Sequence, residues 1–148
     1  MLLNNLPILS ILIWTPIIGG VWALIAGDRQ EQTVKYFSLA VSIITFIFAV
    51  ILYCQFDPSY AGMQFMEESD WVRAFDIKYH LGVDGIALPL IMLTSFTTIL
   101  VILAAWEVIE KHISYYMCSF LILTGLMNGV FLALDAILFY VFWEAMLI

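Results

Sequence analysis

Long apolar stretches separated by short polar connections dominate the pattern along the chain. A helix of about 20 apolar residues crosses a hydrocarbon core of about 30 Å. The pattern therefore predicts complete transmembrane helices at about residues 6–26, 36–54, 86–106 and 115–134. A fifth apolar stretch, 136–148, stops at Ile148 without a polar flank, and we interpret it as the start of a longer, truncated helix. The predicted fold is an all-α polytopic membrane protein with four complete transmembrane helices and the start of a fifth.

The first stretch has a signal peptide as its alternative reading. The residues before it carry no Lys or Arg, and Pro16, Gly19 and Gly20 interrupt the run. Both features favour a spanning helix, because a signal peptide needs a basic segment followed by a shorter apolar run.

The long connection between the second and third helices, residues 55–85, carries a different pattern. Apolar and polar residues alternate from Ile77 to Asp84, which is typical of a half-buried strand. We expect a short strand or hairpin here that covers one end of the helices, and Asp84 as the N-cap of the third helix. The connection is rich in acids, which indicates a solvated surface or, as the alternative, a region that attracts cations.

The fourth helix carries small residues at four-residue spacing. Gly125, Gly129 and Ala133 fall on one face, where a neighbouring helix backbone can approach closely. Asn128 lies beside that face and is expected to form an interhelical hydrogen bond. Asp135 marks the predicted break before the fifth helix and is a candidate for either a proton relay or a structural role.

Composition excludes several function classes. With 64% hydrophobic and 11% charged residues and a mean hydropathy of +1.04, the chain is an integral membrane protein. A net charge of −7 argues against nucleic acid and anionic lipid surfaces as partners. Cys54 and Cys118 are expected to be buried free thiols, and His80 and His112 lie in polar connections. The sequence therefore predicts no metal site and no bound cofactor.

Basic residues predict the orientation in the membrane. Arg29, Lys35 and Lys111 lie in the two short connections, whereas the longer acidic connection carries only Arg73 and Lys78. Under the positive-inside rule the short connections face the cytoplasm. The N-terminus and the acidic connection are then expected on the outer side.

Glu144 is the strongest candidate for chemistry. It lies nine residues after Asp135 in an apolar stretch, about 13 Å along a helix and hence near the membrane midplane. Low dielectric favours a neutral carboxyl group and a nearby cation favours the ionised one, so the group can exchange a proton. The alternative is a Glu144 solvated at an interface, with Phe139, Tyr140, Phe142 and Trp143 as an aromatic belt.

Two segments carry a family resemblance: LGVDGIALPL (81–90) and, above all, GLMNGVFLALDAILFYVFWEAMLI (125–148). They resemble chain M of the bacterial proton-pumping NADH:quinone oxidoreductase, respiratory complex I, the counterpart of mitochondrial subunit four and a relative of Mrp-type cation/proton antiporters. The resemblance extends over the whole chain and about the first third of the family's length.

The resemblance implies a membrane-arm subunit of about fourteen helices built from two inverted five-helix repeats. In the family, a fifth-helix glutamate, matched by Glu144, pairs with a lysine on the seventh helix and takes part in proton translocation coupled to quinone reduction. The implied partners are the other membrane-arm subunits and the lipid bilayer of the bacterial inner membrane. The complex as a whole uses NADH, FMN, iron-sulfur clusters and quinone, on other subunits.

Two hypotheses from different classes follow. The first is a fragment of a proton-translocating subunit in which Glu144 serves a relay, enzymatic only within the complex and inactive in isolation. The second is a structural or assembly membrane protein whose small-residue face docks to a larger complex and whose glutamate carries no proton.

Overall fold

Five helices and one hairpin make up the fold. The computed structural model describes residues 7–148, so the predicted start of the first helix at Leu6 lies outside the described residues. The helices are α1 (Ile8–Ala26), α2 (Glu31–Gln55), α3 (Ala87–Ala104), α4 (Ile113–Leu132) and α5 (Ala136–Leu147), and the strands are β1 (Gln64–Val72) and β2 (Ile77–Val83).

The predicted fold class is confirmed. α1, α2, α3 and α4 are long and apolar enough to cross a membrane, and α5 is a shorter apolar helix. β1 and β2 form an antiparallel two-stranded sheet between α2 and α3. The alternation at 77–84 therefore indicated the strand correctly, although burial along β2 does not alternate: residues 77–80 are half-buried and residues 81–83 are buried.

Two predicted helix bounds need correction because polar groups outside the apolar windows have partners. α2 begins at Glu31 rather than residue 36; Lys35, in its first turns, is only 8% exposed and donates to the Trp106 carbonyl at 2.7 Å. α4 begins at Ile113 rather than residue 115. There Asp28 Oδ1 accepts hydrogen bonds from the Ser114 N–H at 2.9 Å and the Ser114 hydroxyl at 2.8 Å.

The third helix is shorter than the apolar window: it begins at Ala87 rather than residue 86 and ends at Ala104 rather than residue 106. Asp84 Oδ1 accepts from the backbone N–H groups of Ile86 at 3.1 Å and Ala87 at 2.7 Å. The predicted capping role of Asp84 is confirmed, because a side-chain oxygen satisfies N–H groups that the helix itself leaves free.

Close approach of α1 and α4 organises the helix bundle. A Cβ atom at Gly125 would lie 2.5 Å from the Ile13 carbonyl oxygen, and one at Gly20 would lie 3.0 Å from the Cys118 carbonyl oxygen. Glycines on both helices therefore bring the two backbones together. α2 packs against α1 and α3, and Cys118 is buried while Cys54, near the end of α2, faces outward, which corrects the expectation that both thiols are buried.

The hairpin lies over one end of the bundle and is attached at two places. On β1, Glu67 accepts from the Ser10 N–H at 3.1 Å and the Ser10 hydroxyl at 2.8 Å. On β2, the His80 carbonyl accepts from the Leu134 N–H at 2.9 Å, just after α4. The hairpin thus connects the start of α1 to the junction between α4 and α5.

Candidate functional site

The break before α5 is a defined turn at Asp135. Ala133 is extended (φ −68°, ψ 127°), and Asp135 is the N-cap of α5, with Oδ1 accepting from the N–H groups of Ile137 at 2.9 Å and Leu138 at 3.3 Å. α4 therefore ends at Leu132 rather than residue 134, because Ala133 and Leu134 pair with β2 instead. An aspartate that caps the next helix is the sequence signal for this break.

Glu144 lies on the face of α5 that points away from α1–α4. Leu138 (3% exposed) and Phe142 (5%) face the bundle. Glu144 follows Phe142 by two residues, about 200° around the helix, and its side chain is exposed. Tyr140 (60%) and Val141 (40%) flank it on the same outward surface.

Within residues 7–148, Glu144 makes no hydrogen bond through its side chain and no ion pair. The three ion pairs of this part of the chain all lie in connections: Arg73 to Asp70 at 3.4 Å, Lys78 to Glu68 at 2.9 Å and His112 to Asp28 at 3.9 Å. A carboxylate that is exposed on an apolar helix surface faces either protein or water in a membrane, because contact with hydrocarbon is costly.

The four aromatic residues proposed as a belt do not share one surface. Phe142 is buried, and its ring lies so close to α4 that a Cβ atom at Gly129 would meet it at 2.8 Å. Phe139 and Trp143 stack with ring centroids 5.9 Å apart and remain partly exposed. One member of the belt therefore packs α5 onto α4.

Asp135 sits in an electropositive backbone environment. Besides its two capping bonds, its Oδ2 accepts from the Lys78 N–H at 3.4 Å. Burial of the carboxylate raises its pKa, but hydrogen bonds from the backbone of Leu138, Ile137 and Lys78, with nearby His80, outweigh burial and hold the pKa of Asp135 below its ordinary value. The carboxylate is thereby stabilised in its charged form.

The small residues of α4 do not form one docking face. Gly125 lies against Ile13 and Ile17 of α1, Gly129 lies against the Phe142 ring of α5, and Ala133, beyond the end of the helix, forms a β-bridge with Leu81. These positions are used within the chain itself.

Asn128 is fully buried, and its side-chain amide donates to the Leu12 carbonyl of α1 at 3.0 Å. This is the interhelical hydrogen bond expected from the sequence. A second polar contact between helices joins Thr98 of α3 and Thr124 of α4, whose hydroxyl oxygens are 2.6 Å apart and buried. Sequence reasoning missed this pair; two threonines inside apolar helices were the available signal.

Lys35 was also missed, because its position at the edge of an apolar window suggested a solvated connection. In the structure its ammonium group is buried beneath Trp106, 6.0 Å from the centroid of the ring. Among residues 7–148, no group of three or more His, Cys, Asp or Glu side chains is arranged to hold a metal ion.

Comparison with known proteins shows which family the chain resembles. Residues 8–134 match the family model described as "NADH-ubiquinone oxidoreductase chain 4, amino terminus". The chain is 41% identical over 145 residues to "NADH-quinone oxidoreductase subunit M" of Rhodobacter capsulatus, covering 95% of this chain and 28% of the relative. It is 38% identical over 140 residues to "NADH-ubiquinone oxidoreductase chain 4" of Arabidopsis thaliana, with 95% and 28% coverage.

A third relative, "NAD(P)H-quinone oxidoreductase chain 4-1" of a Synechocystis strain, is 36% identical over 147 residues, covering 99% of this chain and 28% of the relative. The chain thus spans less than a third of the length of these relatives. Asp135 and Glu144 lie just beyond the segment that matches the family model, whereas the pairwise similarity covers nearly the entire chain.

Proposed function

The chain belongs to the family of NADH-quinone oxidoreductase subunit M and its chain 4 counterparts, and from this premise we propose that it serves the membrane arm of that enzyme as a proton-translocating subunit. Glu144 is the proposed proton-carrying group. The partners are the other membrane-arm subunits and the lipid bilayer of a bacterial inner membrane, with the N-terminus on the outer side. The chain contributes to an enzyme only within the complex.

One observation carries this proposal: Glu144 is exposed on the outward face of a helix built otherwise from apolar residues. The Asp135 cap fixes the start of α5, which places Glu144 about 13 Å along the helix axis. An ionisable group at that depth is expensive unless it faces protein or water. The outward face of α5 is therefore proposed to lie against further membrane helices of the complex.

The mechanism is electrostatic. The proposed partner is the one that the family resemblance implies, a lysine on a neighbouring helix; within residues 7–148 no cation pairs with Glu144. A cation that approaches favours the carboxylate and releases a proton, and one that retreats favours the neutral acid and takes a proton up. Movement or charge change of the partner is thereby converted into proton transfer at Glu144.

The redox reaction is assigned to other subunits. NADH and quinone appear in the names of the relatives, and FMN and iron-sulfur clusters are expected in the whole complex. The described residues supply no cluster of metal ligands, and the chain has no glycine-rich strand-to-helix motif for a dinucleotide.

Substitution Glu144→Gln in the assembled complex tests the proposal. It removes the titratable proton with little change in volume, so NADH-driven proton translocation in membrane vesicles is expected to fall about a hundredfold, the lower end of what one positioned proton-transfer group contributes. The matched control is Glu110→Gln, which neutralises an exposed carboxylate in the connection between α3 and α4 and should leave translocation unchanged.

Unchanged translocation in a normally assembled Glu144→Gln complex would refute the relay and favour the structural hypothesis. Gly125, Gly129 and Ala133 are not available as the docking face of that hypothesis, because α1, α5 and β2 of the same chain already cover them.

A further inference from the structure

The junction between α4 and α5 is held from two sides. On the α5 side, Asp135 Oδ1 accepts hydrogen bonds from the N–H groups of Ile137 and Leu138 in the first turn of the helix. On the hairpin side, Asp135 Oδ2 accepts from the Lys78 N–H. One carboxylate therefore joins the start of α5 to β2.

Three further contacts tie the same junction to β2. The Leu134 N–H donates to the His80 carbonyl at 2.9 Å, and Ala133 forms a β-bridge with Leu81. Gly82 lies under the Leu134 side chain, where an added Cβ would come within 2.7 Å of Leu134 Cδ1. These contacts oppose any movement of the junction relative to β2.

β2 is itself anchored to the bundle. Its partner strand β1 holds Ser10 of α1 through Glu67, and the Tyr79 hydroxyl lies 3.1 Å from the Ser10 hydroxyl oxygen and accepts from Trp14 Nε1 at 3.1 Å. The hairpin thus transmits the position of α1 to the start of α5. Within residues 7–148, α5 packs mainly along α4, through Leu138 and Phe142.

We propose that Asp135 is a positioning residue for Glu144: as an N-cap bound to β2, it sets the depth and rotation at which α5 presents the Glu144 carboxylate. This inference rests on the proposed function of Glu144. Asp135 acts through hydrogen bonds accepted by its side chain, and it carries no proton in the relay. A capping side chain that accepts hydrogen bonds without a charge replaces it in this role.

The test compares three substitutions in the assembled complex, with NADH-driven proton translocation measured per assembled complex. Asp135→Ala removes the cap and the contact to β2, and we expect translocation to fall about fivefold, in proportion to the weakening of a helix start by a lost cap. Asp135→Asn and Asp135→Ser keep an accepting oxygen without a titratable proton. Both should restore most of the activity lost in Asp135→Ala.

A combined variant separates positioning from general damage to the fold. If Asp135 acts through Glu144, adding Asp135→Ala to Glu144→Gln causes no further loss of translocation. An additional fivefold loss in the double variant would overturn the inference, because the effect would then bypass Glu144. Equal and severe loss in Asp135→Asn, Asp135→Ser and Asp135→Ala would also overturn it, since a carboxylate would then be required for its proton or charge.

A geometric readout is independent of activity. In a background with Cys54→Ser and Cys118→Ala, a thiol introduced by Glu144→Cys reports the exposure of that position to a small polar thiol reagent. Adding Asp135→Ala to this background should change the labelling rate of the thiol at position 144 about fivefold. Adding Asp135→Ser should leave the labelling rate equal to that of the variant in which Asp135 is intact. An unaltered rate in Asp135→Ala overturns the positioning role, whereas failure of Glu144→Gln alone to affect translocation would refute only the proposed function.

Discussion

Replacing Gly125 with alanine should open the α1–α4 interface. The added Cβ would lie 2.5 Å from the Ile13 carbonyl oxygen, whereas ordinary contacts begin at 3.4 Å, so the helices must separate by about 0.9 Å. The obstacle is helix backbone and cannot rotate away. We therefore take the upper end of the cost of overpacking, about 3 kcal/mol. Alanine has a higher helix propensity than glycine, which offsets about 1 kcal/mol of this cost. The expected net destabilisation is about 2 kcal/mol.

Amide hydrogen exchange in the assembled complex measures this effect. A loss of 2 kcal/mol corresponds to about thirtyfold faster exchange for amides in α1 and α4 that open with the interface. Gly129→Ala should cost less, because the atoms it would meet belong to the Phe142 ring, a side chain that can shift. Gly85→Ala is the matched control, with nothing within 4 Å of the added atom. Equal exchange rates in Gly125→Ala and Gly85→Ala would refute the reasoning.

Two smaller effects are expected elsewhere in the bundle. A double-mutant cycle of Thr98→Val and Thr124→Val should give a coupling of about 0.6 kcal/mol, and no more than about 1.7 kcal/mol, the range found for hydrogen bonds within membranes; a coupling of zero by hydrogen exchange would mean that the 2.6 Å contact adds nothing. Hydrogen bonds from the Ser114 backbone and hydroxyl, with His112 nearby, hold the pKa of Asp28 below its ordinary 3.8. A carboxylate whose pKa is lower in the folded state than in the unfolded state stabilises the fold at pH values above its unfolded-state pKa. This stabilisation is lost as the pH falls through the folded-state pKa. Protection of amides at the start of α4, relative to their intrinsic exchange rates, should therefore decrease below about pH 4, and Asp28→Asn should flatten this pH dependence; an unchanged profile would contradict the role of Asp28.

The sequence was sufficient for elements whose signal is local. Apolar windows of spanning length indicated four helices, alternation indicated β2, and Asp84 and Asp135 marked helix starts, because capping depends on residues within one turn. The predicted starts of α2 and α4 were wrong because polar residues flank the apolar windows. The partners of these residues, Trp106 for Lys35 and Asp28 for Ser114, are distant along the chain.

The candidate site was predicted in part for the same reason. Counting residues from Asp135 gave the position of Glu144 along α5, which is a property of one helix. Which face of α5 turns toward the bundle depends on how Phe142 fits against Gly129, and this fit is a contact between helices. Periodicity could not reveal it, because α5 is apolar apart from Glu144 and offers no amphipathic pattern.

The hydrogen bonds between Asp28 and Ser114 also bear on how the chain is inserted into a membrane. The carboxylate that completes the start of α4 is supplied 86 residues earlier, in the connection that follows α1. α2 and α3 lie between the two, and two crossings return the chain to the side from which it started. The hydrogen bonds between Asp28 and Ser114 can therefore form only after both α2 and α3 have crossed the bilayer. If α2 or α3 failed to cross, Asp28 and Ser114 would lie on opposite sides of the membrane, and their hydrogen bonds could not form.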